Sequence, residues 1–209
     1  MRVEDWGRLG YQLALTRQLE LVEAVQSGEA DCLVIVEHDP VLTLGANFHA
    51  ENLLLDSAEY EARGIAVIPT DRGGDVTYHG PGQLVMYPLF DLRRHGQDLH
   101  RWMRDLEETQ LEILRQFGIE GRRFPPHTGA WVGDAKVSAI GVKVKRWVSM
   151  HGIAMNVESI PDAFADIVPC GIQGYGVTSL TTLLGRSVSL SEVKPIAIEA
   201  FRTVFGAKS

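Results

Sequence analysis

Cys170 stands in Val168-Pro169-Cys170-Gly171-Ile172, with proline before it and glycine after it. Such neighbours place a thiol on a stiff, exposed bend rather than in a strand. A thiol there becomes a nucleophile if a nearby cation or helix N-terminus lowers its pKa. Lys136, which opens the small, apolar stretch Val137-Ser138-Ala139-Ile140-Gly141, is a candidate for that cation. Each residue also has a plain reading, since a free cysteine is commonly a small buried hydrophobe and a lysine at a strand start is commonly surface. Cys32, inside Leu33-Val34-Ile35-Val36, fits the plain reading well.

The second chemical feature is Arg72-Gly73-Gly74-Asp75-Val76-Thr77-Tyr78-His79-Gly80-Pro81-Gly82-Gln83, where four glycines and a proline fall within eleven positions. A hairpin needs only two special residues, so the excess asks for another explanation. Glycine permits close approach of a ligand to the main chain, and the polar and aromatic residues between suit a binding loop. His79 has three readings: it orients a substrate, donates a hydrogen bond to a developing oxyanion, or is a satisfied structural histidine. Other chemistries fail on spacing. No Gly-x4-Gly-Lys-Ser/Thr loop, Gly-x-Gly-x-x-Gly turn, His-Glu-x-x-His pair, zinc-type cysteine pair or Gly-x-Ser-x-Gly elbow occurs. The expectation is no metal and no cofactor.

The scaffold around these residues is ordinary. Its 209 residues, 45% apolar and 22% charged, suit one catalytic domain spanning 1–209. Apolar runs are too short for a bilayer, nothing at Met1 resembles a signal peptide, and two cysteines cannot make a disulfide scaffold. A cytoplasmic protein without membrane contact is expected. The net charge of −7 argues against nucleic acid as a partner. Basic clusters at Arg93-Arg94, Arg122-Arg123 and Lys143-Val144-Lys145-Arg146 read as solvated surface or as a docking patch for an acidic partner.

Periodicity supplies the elements. Tyr11, Leu15, Leu19, Val22 and Val25 mark a helix over 11–26, and Asp98 caps a second, over 98–117, with Trp102, Leu106, Ile113 and Phe117 inward. A last helix runs from about Ser191 to Phe205, its start blurred by Pro195. Strands are expected at 32–36, 41–44, 84–90, 130–132, 137–144 and 148–157, in short meanders that favour antiparallel pairing. The result is an α+β fold with a mixed, largely antiparallel sheet flanked by helices.

Taken together, the residues resemble the lipoyl(octanoyl) transferases of lipoate biosynthesis over most of the chain. The glycine-rich loop through Leu84 carries the resemblance. Glu37 to Gly45, Lys136 to Gly141, His151-Gly152-Ile153-Ala154-Met155-Asn156, Pro169 to Ile172 and Val177 to Leu180 support it in the same order. Asp39 stands where that family commonly has proline. The resemblance implies the catalytic fold of biotin and lipoate protein ligases. It also implies transfer of an octanoyl group from octanoyl-acyl carrier protein to a lysine of a lipoyl domain, the first committed step of protein lipoylation. By the same resemblance Cys170 forms the acyl-thioester and Lys136 assists it. Arg72, Gly73, Gly74, Asp75, Val76, Thr77, Tyr78 and His79, with Ala139, Ile140, Gly141, Gly152, Ile153 and Ala154, would surround the substrate. Acceptors would be the lipoyl domains of 2-oxoacid dehydrogenase E2 subunits and the glycine cleavage H protein, and the enzyme a monomer. Two alternatives compete with it. An ATP-dependent ligase of the same fold leaves Cys170 and Lys136 together unexplained, and a catalytically dead binding protein predicts no covalent intermediate.

Overall fold

The computed structural model describes residues 1–158, 164–168 and 174–206. In chain order the elements are β1 (Arg2–Leu9), α1 (Tyr11–Gln26), β2 (Cys32–His38), β3 (Val41–Leu44), α2 (Ser57–Ala62), β4 (Ala66–Pro69), β5 (Val76–His79) and β6 (Gln83–Leu89). There follow α3 (Leu99–Gln116), β7 (Arg122–Phe124), β8 (His127–Val132), β9 (Ala135–Lys145), β10 (Val148–Asn156), β11 (Gly176–Val177), α4 (Leu180–Leu184) and α5 (Leu190–Gly206). Among the described residues the main sheet runs β1-β2-β6-β10-β9-β8-β7 with β11 beside β9, and β4-β3-β5 form a smaller sheet. Pairing is antiparallel except for β1–β2, β9–β11 and β3–β4. The expected α+β fold with a mixed, largely antiparallel sheet is what forms.

The central strands are buried on both faces, which explains their unbroken apolar runs. Leu33 and Ile35 of β2, with Leu84 and Met86 of β6, pack into a core completed by Trp102, Leu106 and Ile113 of α3 and Phe201 of α5. Val34, Val36, Val85 and Tyr87 face the other way, onto Val22 and Val25 of α1. Alternation along a strand assigns each residue to its layer. Cys32 is fully buried in the α1 layer, the plain reading of that residue. The Asp98 carboxylate accepts from the backbone N–H of His100 and Arg101, at 2.8 and 3.1 Å, and so starts α3.

Three details differ from expectation. Helix α1 turns Tyr11, Ala14, Gln18, Val22 and Val25 inward, while Leu19 is exposed. The glycine-rich segment is not all loop, because Val76–His79 is a strand paired antiparallel with β3. Strand β1 is an additional edge, half exposed and with no buried residue, paired parallel to β2.

Candidate active site

Strand β5 divides the binding segment by alternation. Val76 and Tyr78 point into a small core with Leu42 and Tyr60. Thr77 and His79 point the opposite way, into a cavity of about 460 Å³. Its other walls are Ala139, Ile140 and Gly141 of β9 and Gly152, Ile153 and Ala154 of β10. These are ladder partners, pairing Ala139↔Ala154, Ile140↔Ile153 and Gly141↔Gly152. Arg72, Gly73 and Gly74 also line it, and the Gly73 N–H donates to the Val142 carbonyl of β9 at 2.9 Å, strapping the segment to the sheet. The Arg72 guanidinium is buried and held by the Thr43 hydroxyl and carbonyl and the Gly73 carbonyl. A Cβ on Gly152 would collide with the Met86 carbonyl, so only glycine fits there.

Asp75, Val76 and Tyr78 do not line the cavity. The Asp75 carboxylate accepts from the His49 ring at 3.0 Å, Asn52 Nδ2 at 2.7 Å and the Val76 N–H at 2.7 Å. Burial opposes its charge, but these hydrogen bonds, His49 first, hold its pKa below the usual carboxylate value. Its work is to tie the segment to residues 49–52.

His79 is resolved by a chain of amides. Asn156 Nδ2 donates to the Thr178 carbonyl at 3.1 Å, which turns Asn156 Oδ1 toward Gln83 Nε2 at 3.0 Å. Gln83 Nε2 also donates to the Tyr78 carbonyl, so Gln83 Oε1 is the atom that accepts from His79 Nδ1 at 2.7 Å. The proton sits on Nδ1 and Nε2 carries a lone pair. Burial, then the neighbouring His38, pushes the pKa down to about 3, so the ring is neutral at physiological pH. A neutral ring in this tautomer does not donate from Nε2 to an oxyanion, and the hydrogen-bonded structural reading is the one its contacts support.

Lys136 lies on the other side of the shared wall. With Thr77, Gln83, Ser138, Ala139, Ala154 and Asn156 it lines a second cavity of about 300 Å³. Thr77, Ala139 and Ala154 border both cavities. The Lys136 ammonium sits 5.0 Å from the centre of the Trp131 ring, within cation–π range. Its carbonyl accepts from the Thr178 N–H at 3.0 Å. Cys170 lies outside the described residues.

The cavity also holds four residues that sequence reasoning did not assign to it: Tyr11, Val85, Tyr87 and His151. His151 is 2% exposed and has φ of +57° inside β10, a conformation that costs on the order of 1–3 kcal/mol for a residue other than glycine. Its backbone N–H donates to Gln18 Oε1 at 2.9 Å. That bond gives the amide oxygen of Gln18, a buried polar residue on α1, its partner. The ring bridges Asp71 Oδ1, 2.9 Å from Nε2, and the Tyr11 hydroxyl, 3.5 Å from Nδ1. The only sequence signal for these four was the histidine directly before Gly152.

The basic clusters are largely paired within the chain. Arg93 meets Asp91, Arg94 meets Asp31, and Lys143 meets Asp71 at 2.8 Å. Arg123 bridges Glu107 and Glu108, and Arg122 stacks on Phe124. That favours a solvated, internally neutralised surface over a docking patch at these residues.

Comparison with known proteins places this architecture. Residues 10–202 match the lipoyl protein ligase A/B catalytic domain family. The octanoyltransferase of Geobacter metallireducens is 45% identical over 195 residues, covering 93% of this chain and 88% of that protein. The octanoyltransferase of Gloeobacter violaceus is 46% identical over 192 residues, covering 92% and 83%. A crystal structure of lipoate-protein ligase A bound with ATP shares the fold with a TM-score of 0.80 at 18% identity, covering 98% of this chain and 85% of that one. Among the described residues no helix is long and apolar enough to cross a membrane, and no group of three side chains is arranged to hold a metal ion. The match over nearly the whole length of relatives bearing one activity decides the branch: the chain belongs to the octanoyltransferases, acyltransferases of the lipoyl protein ligase A/B catalytic domain family.

Proposed function

We propose that this octanoyltransferase takes its acyl group from octanoyl-acyl carrier protein and passes it through a Cys170 thioester to a lysine of a lipoyl domain. The acceptors on this reading are lipoyl domains of 2-oxoacid dehydrogenase E2 subunits and the glycine cleavage H protein. The working unit is a cytoplasmic monomer with one catalytic domain over residues 1–209. What supports the reading most is the shared wall. The Lys136 cavity and the apolar cavity meet at Thr77, Ala139 and Ala154, so an alkyl tail in one leaves its carbonyl beside the other.

Chemistry then follows with each proton accounted for. The Cys170 thiolate adds to the thioester carbonyl, the bond to the carrier sulfur breaks, and that sulfur leaves with a proton from the Lys136 ammonium. The acceptor amine next attacks the enzyme thioester and the bond to Cys170 breaks. The surplus proton of the new amide passes to the neutral Lys136, restoring the thiolate and ammonium. Thioester to amide is downhill, so the reaction needs no ATP. Burying most of the tail at ~0.8 kcal/mol per CH2 supplies on the order of 5 kcal/mol toward holding octanoyl.

Intact-protein mass spectrometry after mixing with octanoyl-acyl carrier protein, without ATP, tests it. One octanoyl adduct is expected, absent in Cys170→Ser and lost on adding lipoyl domain. The Lys136→Ala variant should need higher pH for iodoacetamide alkylation of Cys170. Amide formation that requires ATP and free acid, with no adduct, would hand the function to a ligase mechanism.

A further inference from the structure

We propose that the Tyr11 ring is the far wall of the acyl cavity and sets the length of chain transferred, with His151 and Asp71 as the positioning residues that hold it there. The inference rests on the reading above, in which the tail lies in the larger cavity with its carbonyl toward Lys136.

The ladder register orders the cavity. The Lys136 cavity touches β9 and β10 at Ala139 and Ala154, and the larger cavity continues through Gly141 and Gly152 to His151, partner of Val142. From Ala139, at the wall the two cavities share, to Val142 is three positions along β9, or ~10 Å at ~3.3 Å per residue, so a tail that enters past that wall meets the His151 end last. Gly141 and Gly152 present no side chain at that end; Arg72 and Gly73 pack over Gly141, and an aromatic ring that joins them in the lining is that of Tyr11. Tyr11 sits there. It is 4% exposed, its ring parallel to His79 at 6.1 Å and edge-on to His38 at 5.3 Å.

A hydrogen-bond chain reaches the hydroxyl of that ring, to which the Thr70 side chain also bonds. The Asp71 carboxylate accepts only, so His151 carries its proton on Nε2 and offers the Nδ1 lone pair to the Tyr11 hydroxyl. Lys143, 2.8 Å from Asp71, fixes the other carboxylate oxygen. A strained His151 backbone, a buried Gln18 that takes its N–H and an Asp71 clamped from two strands all serve one side chain at the end of the cavity. That cost is understandable if the ring position is what the enzyme needs.

The test is competition among hexanoyl-, octanoyl-, decanoyl- and dodecanoyl-acyl carrier protein, read as ratios of kcat/KM, in variants shown to be folded by thermal unfolding. Tyr11→Leu should raise decanoyl over octanoyl by about tenfold, the scale of one or two methylenes in an apolar pocket. Tyr11→Phe keeps the ring but not its hydrogen bond, and Asp71→Asn removes the acceptor-only carboxylate. Both should shift the ratio the same way by a smaller and similar factor, with the double variant no further shifted. A purely structural role would lower all rates together and leave the ratios alone. Ratios in Tyr11→Leu within about twofold of the parent overturn the inference. Ala154→Val, at the wall between the two cavities, separates the two failures. If it cripples octanoyl transfer while Tyr11→Leu leaves the ratios unchanged, only the inference falls. If it too has no effect, the placement of the tail falls with it.

Discussion

Replacing His79 with glutamine should make the protein less sensitive to mild acid. In the native state the ring is neutral, its pKa pushed down to about 3 by burial and then by the neighbouring His38, against an ordinary value of 6.5 in the unfolded chain. Between those values the unfolded state binds a proton that the native state refuses. Stability therefore falls as pH drops below 6.5 and goes on falling toward 3. Each pH unit across that window is worth about 1.36 kcal/mol, so going from neutral pH to about pH 5 removes about 2 kcal/mol through this ring alone. The glutamine variant keeps a side-chain N–H for Gln83 Oε1 and abolishes the titration.

Urea unfolding at about pH 7.5 and about pH 5 measures the effect, with each protein compared with itself. The parent should lose about 2 kcal/mol more than His79→Gln over that interval. Burial also lowers the pKa values of His38 and His151, so both proteins lose stability, and only the difference between them belongs to His79. The depressed carboxylates of Asp71 and Asp75 stay charged throughout, since their stabilising contribution is lost only below the ordinary carboxylate range. Equal losses in the two proteins would show that the imidazole takes up its proton inside the fold, and the assignment of the proton to Nδ1 alone would be wrong.

Two further perturbations follow from the packing. Arg123→Glu should destabilise by about 2 kcal/mol in urea unfolding, because it sets a like charge against Glu107, whose side chain is 4% exposed and keeps Arg104 as its partner. Unchanged stability with weakened carrier binding would instead restore Arg123 as a docking residue. Gly152→Ala should cost about 1–3 kcal/mol and abolish octanoyl transfer, since its Cβ meets the Met86 carbonyl in a ladder that cannot move aside. Full activity at normal stability would mean that β10 shifts freely beside the cavity.

What could be read from the chain and what could not have different physical origins. The run from Cys32 to Val36 announced a strand because both its faces are covered, and Asp98 announced α3 because a cap is a local interaction. The small residues of β9 and β10 and the glycines after Arg72 pointed to the cavity, since open space beside a sheet demands small side chains. Strand β1 was silent because a polar edge paired on one side shows little alternation. The phase of α1 is not legible at Leu19 because the inward face includes Gln18, whose side chain meets the backbone of His151, 133 residues away, and the Tyr87 side chain. His151 belongs to a residue type enriched at positive φ, but its place inside an apolar strand pattern gives no warning of a left-handed conformation that its surroundings must hold. Local rules fail most completely at this residue, and it lines the cavity. The surroundings hold that strain beside the cavity: Gln18 takes the backbone N–H, and the ring meets Asp71 on one side and Tyr11 on the other.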